Sequence, residues 1–336
     1  MIKEIARRAN LSVSAVRRAL KDFPDIPPAT KVRVKALAAE LGYRPNFLAQ
    51  AIVTKKSRLI GVLVPELATS FFPEVIDGFE TAASLEKYNI LIAKHDHRDP
   101  KLAEAVALFG RYQVDGLCLV PVAKTLGLAA REELGFFTKP VVLFDDALEP
   151  GAGPKAYPWI GIDDEAASAG ATKYLLGKGH RRLAFVGANP ESTSALKRLK
   201  GFQGALRAAA LPAGKEIRGP LTEETGRLAV ATLLGQKAGP LAILCQNDLV
   251  ASGVILECLE RGLAVPGHVS VMGFGNLSFG HALAVPLTTV DQSARDLGAR
   301  MFELLRRAME GDGGAEEVKL PWRIVERASV GQASAG

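Results

Sequence analysis

Cysteine is scarce in this sequence. There are three in 336 residues, and Cys118, Cys245 and Cys258 sit in apolar runs ("GLCLV", "AILCQ", "VILECLE") with neither paired-bridge nor metal-ligand spacing. That excludes a disulfide scaffold and a zinc–cysteine site, and leads us to expect buried free thiols in a reducing compartment. No apolar stretch approaches the roughly 20 residues of a membrane span, and the opening "MIKEIARRAN" is charged where an export signal would be apolar. A cytoplasmic, nucleoid-associated location with no membrane partner is the expectation. Catalytic punctuation is missing too. There is no Gly-rich phosphate loop and no GxSxG elbow, and His95, His97, His180, His268 and His281 form no HExxH or other established ligand pattern. "KHDHR" at 94–98 reads as a polar loop at a strand end, and His180 as structural. No enzyme activity, cofactor or metal is expected.

What is present is ordinary globular chemistry, 48% hydrophobic and 23% charged, in a chain long enough for two or three compact units. The net charge of +6 is unevenly placed: residues 1–58 carry thirteen Lys and Arg against four acids, which leaves the remainder slightly acidic. A surplus confined to one small segment points to a polyanion partner for that segment, with nucleic acid the first candidate.

The pattern of that segment predicts three short helices. Ile2, Ile5, Ala6 and Ala9 recur at helical spacing, and Asn10 tolerates the left-handed conformation of a tight turn. Ser12 suits the N-cap of a second helix with Val16, Ala19 and Leu20 inward, which leaves Val13, Ser14, Arg17 and Arg18 outward. A third helix begins near Pro28 and stops at Gly42. A bare basic helix face is often only a solvated one. Here small outward residues would also let the backbone approach a major-groove floor while the arginines reach bases or phosphates.

"IKEIARRANLSVSAVRRAL", "ELGYRPNFLAQAI" and "IGVLVPE" resemble, in order and spacing, the lactose-repressor (LacI) family of bacterial transcription regulators, and the resemblance runs to about residue 330. It implies a helix-turn-helix headpiece over 1–44, a hinge over 45–58 and a two-lobed periplasmic-binding-protein-like core over 59–330. Lobe 1 would span about 59–158 and 290–320, lobe 2 about 159–289 and 321–330, with 331–336 a disordered tail. It also implies that the hinge becomes a helix on operator DNA, where two hinges of a homodimer wedge apolar side chains into the minor groove. Ile52 holds the wedge position, usually Leu, with Leu48 and Ala49 nearby and Lys55, Lys56 and Arg58 near phosphates. The DNA-contacting set carried over is Ser12, Val13, Ser14, Arg17, Arg18, Asn46, Ala49, Ile52 and Lys55. Arg17 stands where the family usually has Ser, and Val13 where it has a polar or aromatic residue, so no relative's operator sequence transfers.

From Leu59 the chain alternates β-branched runs ("LIGVLV", "NILIA", "GLCLV", "VVLF", "WIGI", "RRLAFVG", "LAILC", "VSVMGF") with helix-length stretches, which implies βαβ units and two doubly wound parallel-sheet lobes divided near Trp159. Ligands in such sheets bind beyond the carboxyl ends of the strands. Those ends supply Phe71, Phe72, His95, Asp96, Asp145 and Asp163, then Arg198, Asn247, Gly275, Asn276 and the crossing residue Gln292. By resemblance Phe72, Arg198, Asn247 and Gln292 bind effector. Phe71 has a core reading, Asp163 a backbone-orienting one, and Asn247–Asp248 a helix-capping one. "GFGN" at 273–276 departs from the family's "GFDD", whose first Asp accepts hydroxyls of neutral sugars. Losing carboxylates beside an arginine favours an anionic effector, a sugar acid such as gluconate, and the competing expectation is a neutral sugar held by another polar group.

The expectation is therefore a homodimeric regulator, a repressor with an activator as the alternative, that binds a palindromic operator and is controlled by a carbohydrate-type effector between the lobes. The rival is a solute-binding protein of a sugar transport system. It would need an export signal and no basic headpiece.

Overall fold

The computed structural model describes residues 1–43, 56–67, 71–190, 192–234 and 241–333, and the chain forms two compact units, Met1–Ser57 and Arg58–Gly336.

The first unit holds helices α1 (Ile2–Ala9), α2 (Val13–Leu20) and α3 (Pro28–Glu40). Asn10 ends α1 at φ 53°, and the Ser12 hydroxyl accepts the Ala15 N–H at 3.1 Å as the N-cap of α2. Ile5, Ala6, Ala9, Val16, Ala19, Val34 and Ala38 are buried together, with Leu20 at their edge. The core is small, so each cap contributes a large share of its stability.

The second unit begins with β1 (Leu59–Val64), α4 (Phe71–Leu85), β2 (Asn89–Lys94), α5 (Asp99–Arg111), β3 (Gly116–Leu119), α6 (Leu128–Phe136), β4 (Val141–Phe144) and β5 (Trp159–Ile162). There follow α7 (Asp164–Gly177), β6 (Leu183–Ala188), α8 (Thr193–Ala208), β7 (Lys215–Arg218), α9 (Glu223–Leu234), β8 (Leu241–Cys245), α10 (Asp248–Glu260) and β9 (Val269–Gly275). The chain closes with β10 (Thr288–Asp291), α11 (Ala294–Met309), β11 (Glu317–Leu320) and β12 (Arg323–Val325). The first sheet has the order β11-β5-β4-β3-β1-β2 and the second β12-β10-β9-β8-β6-β7. Every pairing is parallel except β10 with β12. The central strands are buried along their whole length, as expected where helices cover both faces.

The boundary between lobes differs from the reading near Trp159. Residues 159–162 pair with Leu143 and Phe144 and with 317–320, so they extend the first sheet, and the chain first crosses after Ile162. A short apolar run carries no mark of which sheet it joins. The next crossings follow Asp291 and Leu320, since β10 lies in the second sheet, α11 packs on α4 of the first lobe and β12 returns to the second. That packing is close because Gly78 and Gly298 face backbone: a Cβ on Gly298 would lie 1.9 Å from the Val75 carbonyl oxygen. The expected disordered tail also needs correcting over 331–333. Gly331 donates to Ser270 Oγ at 3.2 Å, its carbonyl meets His180 Nε2 at 3.1 Å, and Ala333 donates to the Lys178 carbonyl at 2.8 Å.

Candidate nucleic-acid face and interlobe cleft

Helix α2 has eight residues, about 12 Å of axis, comparable to the width of a major groove. Val16 and Ala19 are its buried side, while Ser12, Ser14, Arg17 and Arg18 are exposed and Val13 is half-buried against the small core. The face that remains is two hydroxyls and two guanidinium groups on a backbone with no bulky side chain to hold it off a surface. Arg18 is anchored from the side: its guanidinium pairs with Asp25 at 2.5 Å and lies 5.5 Å from the Phe23 ring centre. Of the expected hinge contacts, Asn46, Ala49, Ile52 and Lys55 lie outside the described residues. Arg58 is exposed and lies along the surface of the second unit, with its guanidinium 5.0 Å from the Tyr88 ring centre and donating to the Glu86 carbonyl.

In the second unit, the carboxyl ends of both sheets face a cleft of about 680 Å³, open to solvent. Lobe 1 contributes Phe71, Phe72, His97, Asp145 and Asp146, and lobe 2 contributes Ser192, Ser194, Arg198, Gln246, Asn247 and Phe274, with Gln292 from the crossing. Two of these wall residues are helix caps. Ser192 accepts the Ala195 N–H at 3.1 Å and Asn247 the Val250 N–H at 2.8 Å. Short polar side chains are preferred at such N-caps, and here both caps line the cleft.

Arg198 organises the floor. It is 5% exposed. Its Nε donates to Asp164 Oδ1 at 2.7 Å, one terminal nitrogen donates to the Gln246 carbonyl at 2.8 Å, and the other donates to Gln292 Oε1 at 3.0 Å. The guanidinium stacks 3.8 Å from the Phe274 ring centre. Burial holds the Asp164 carboxyl above the usual range even beside that arginine. Asp145 is also pushed well up, by burial first and by the neighbouring Asp146 second. Asp146 is satisfied: its Oδ1 accepts Ser192 Oγ and Thr193 Oγ1, both at 3.0 Å, and the Ser194 N–H at 2.7 Å. Among the described residues no group of three or more His, Cys, Asp or Glu could hold a metal.

A basic three-helix unit joined to a two-sheet unit with an interlobe cleft is the arrangement found in known regulators. Residues 1–46 match the model of bacterial regulatory proteins of the lacI family, and residues 172–330 match that of a periplasmic binding protein-like domain. Catabolite control protein A of Priestia megaterium is 33% identical over 98% of each chain. The chain belongs to the lacI family of bacterial regulatory proteins. It is accordingly a DNA-binding transcriptional regulator rather than an enzyme. The transcriptional repressor CytR of Escherichia coli K12 is 30% identical over 92% of this chain and 90% of its own. The lac repressor dimer bound to operator and the anti-inducer ONPF shares the fold, with a TM-score of 0.87 at 24% identity over 98% of each chain.

Within this lacI-family core, Phe72, Asp145, Arg198, Asn247 and Gln292 of the expected set line the one cleft, and four others do not. His95 is fully buried behind it, with Nε2–H donating to the Val120 carbonyl at 3.0 Å and Nδ1 accepting the His97 N–H at 3.1 Å. Burial draws its pKa down to about 4. Asp163 caps α7 through the Ala166 N–H at 3.0 Å, and Asn276 is taken by Arg327 at 2.7 Å. Gly275, at φ 138°, has the Leu277 and Asp248 side chains as its neighbours instead of the cleft. Strand-end position alone fails to say which way a side chain turns. Asp146, Ser192, Ser194, Gln246 and Phe274 were missed. Asp146 and Gln246 are each next to a residue that was chosen, and "NPESTS" at 189–194 carried the capping signal for Ser192.

Proposed function

We propose that the chain acts as a homodimer that binds a palindromic operator through Ser12, Val13, Ser14, Arg17 and Arg18, with a small hydroxylated effector between the lobes of the core. The observation that carries the reading is the face of α2, where two exposed arginines stand on a backbone cleared of large side chains. Dimerisation is supported by exposed apolar side chains on the paired helices α9 and α10, namely Leu228, Leu256 and Leu259. These are surfaces a soluble monomer usually covers. Two-fold symmetry then matches a palindrome.

The effector reading rests on Phe72, Arg198, Asn247 and Gln292, an apolar wall with directed donors and acceptors. A sugar acid such as gluconate gains little support. The positive potential expected from Gly275 is answered by Asp164 at 2.7 Å from Arg198, and Gly275 lies off the wall. Binding of the full-length protein to palindromic fragments at two salt concentrations tests the whole proposal. Arg18→Ala should weaken specific binding by about 1–3 kcal/mol, the worth of one bidentate base contact, with a smaller effect on unrelated DNA. Equal losses on both would reduce Arg18 to a phosphate contact, and absence of any palindrome binding at low salt would end the reading.

A further inference from the structure

The polar groups of the cleft are not in balance. Among the described residues, Glu66, Asp145 and Asp146 line it against one arginine, Arg198, and Arg198 is already neutralised by Asp164 in a buried pair at 2.7 Å. Asp146 has three donors of its own from the start of α8. Asp145 differs. Its backbone is engaged, accepting Trp159 Nε1 at 3.2 Å and donating to the Ile160 carbonyl at 3.1 Å, while its carboxyl makes no hydrogen bond among the described residues. A second acceptor, from lobe 2, is orphaned: Gln246 is 2% exposed, and its Oε1 is buried without a partner. Buried polar groups are nearly always paired, so an orphaned acceptor from lobe 2 and an unbonded carboxyl from lobe 1, both lining one cleft, indicate a donor supplied from outside.

Charge separates the ligand classes. A carboxylate ligand would add an anion beside Glu66 and Asp146, with no free arginine or lysine among the described lining residues to meet it. A hydroxyl would bond to the same oxygens but leave the Asp145 carboxyl, which burial and Asp146 push well above the usual range, holding its proton, and so would draw nothing from its charge. An ammonium group supplies three donors and the missing positive charge at once. The edge-to-face pair Phe71 and Phe72, 5.3 Å between ring centres, offers an apolar surface on the same wall for the rest of a small ring.

Resting on the reading of this cleft as the effector site, we infer that its ligand is a small hydroxylated amine of the amino-sugar class, with its ammonium against the Asp145 carboxylate and Gln246 Oε1 as a second acceptor. The raised Asp145 pKa agrees with this, because a carboxyl held partly protonated by burial and by Asp146 is released by a bound cation.

Calorimetry on the full-length protein at pH 7 tests it with matched pairs: glucosamine and glucose, galactosamine and galactose, mannosamine and mannose, plus N-acetylglucosamine and glucuronate. At least one amine should bind tenfold or more tighter than its neutral partner. N-acetylation should abolish the gain, and both Asp145→Asn and Gln246→Leu should shrink it. Neutral or acidic sugars binding as well as the amines, or an amine preference that survives Asp145→Asn, overturns the inference, and so does silence from every amine. The operator fragments are titrated on the same preparation. If palindromes bind while the amines fail, the ligand class alone is wrong, whereas loss of palindrome binding removes the regulator reading itself.

Discussion

Arg198→Met is the most demanding perturbation of the core, because it removes the partner of a carboxylate that has nowhere to go. The Arg198 and Asp164 side chains are 6% and 3% exposed and 2.7 Å apart. Removing one member of such a pair typically costs about 3–5 kcal/mol, since the surviving charge stays buried without compensation. The Gln246 carbonyl and Gln292 Oε1 lose donors as well, each worth about 1 kcal/mol. Methionine recovers part of the packing against Phe274, so a total near 4 kcal/mol is expected at pH 8. The loss has a ceiling. Asp164 already sits above the usual carboxylate range, and without its arginine it takes up a proton instead of remaining ionised. The cost should therefore shrink as the pH is lowered toward 5, because the folded variant then binds a proton that the unfolded chain holds only at more acid pH. Urea unfolding followed through Trp159 and Trp322 reads the change. Arg198→Met with Asp164→Asn should recover well over 1 kcal/mol relative to Arg198→Met alone. A single-variant loss below about 1 kcal/mol, or a double variant no better than the single, would show that the charge pair is not what holds the floor of the cleft.

In the headpiece, Ser12→Ala removes the cap on α2 and should cost about 1 kcal/mol, visible as earlier melting of the amide signals of residues 13–20 in NMR of the full chain. Gly298→Ala puts a Cβ 1.9 Å from one backbone atom and 2.6 Å from another, so no flexible side chain can yield and a loss above about 2 kcal/mol in urea unfolding is expected. Gly177→Ala, with open space around it, should be neutral or stabilise by about 0.5–1 kcal/mol in the same assay. His95 accepts a proton less readily folded, with a pKa of about 4, than unfolded, at 6.5, so the stability it confers is complete above 6.5 and declines as the pH falls toward 4, by about 3 kcal/mol. His95→Gln should remove that share of the acid dependence, and a native-state NMR titration placing the His95 midpoint at or above 6 would refute the account.

The headpiece was legible residue by residue because capping and helical periodicity are local: Asn10, Ser12 and Val16 do what their neighbours in sequence dictate. The α/β class followed equally from alternating runs. Topology did not, since "WIGI" is as apolar as any strand and only its partners at 143–144 and 317–320 assign it to the first sheet. In the cleft, Arg198 does line the wall as expected, but its charge environment differs from the expected one. Asp164 is 34 positions away in sequence, and its adjacent neighbour Asp163 was chosen in its place. A one-residue step at a helix start turns a side chain from solvent to interior, as it does between Asp163, half-exposed at the cap, and Asp164, buried at the first helical position.

The two lobes already touch through groups that need no ligand. Asp146 of lobe 1 takes its three donors from residues 192–194 of lobe 2, Thr193 Oγ1 in turn accepts the Ala147 N–H at 2.9 Å, and Glu74 of lobe 1 accepts the Ser278 N–H of lobe 2 at 3.1 Å. Hydrogen bonds to an ionised acceptor contribute about 1.5–3 kcal/mol net, so these contacts alone bias the lobes toward closure by at least tenfold. Moving a two-state equilibrium from 1:99 to 99:1 takes about 5.5 kcal/mol of differential affinity. An effector that favours closure thus starts with part of that work done and needs few contacts of its own. One that favours opening must overcome the Asp146 contacts as well as supply its own preference. Asp145 of lobe 1 and Gln246 of lobe 2 both line the cleft, so a ligand that bonded to both would add to closure. Operator affinity in this protein should therefore respond to the cleft in the sense set by the closed form.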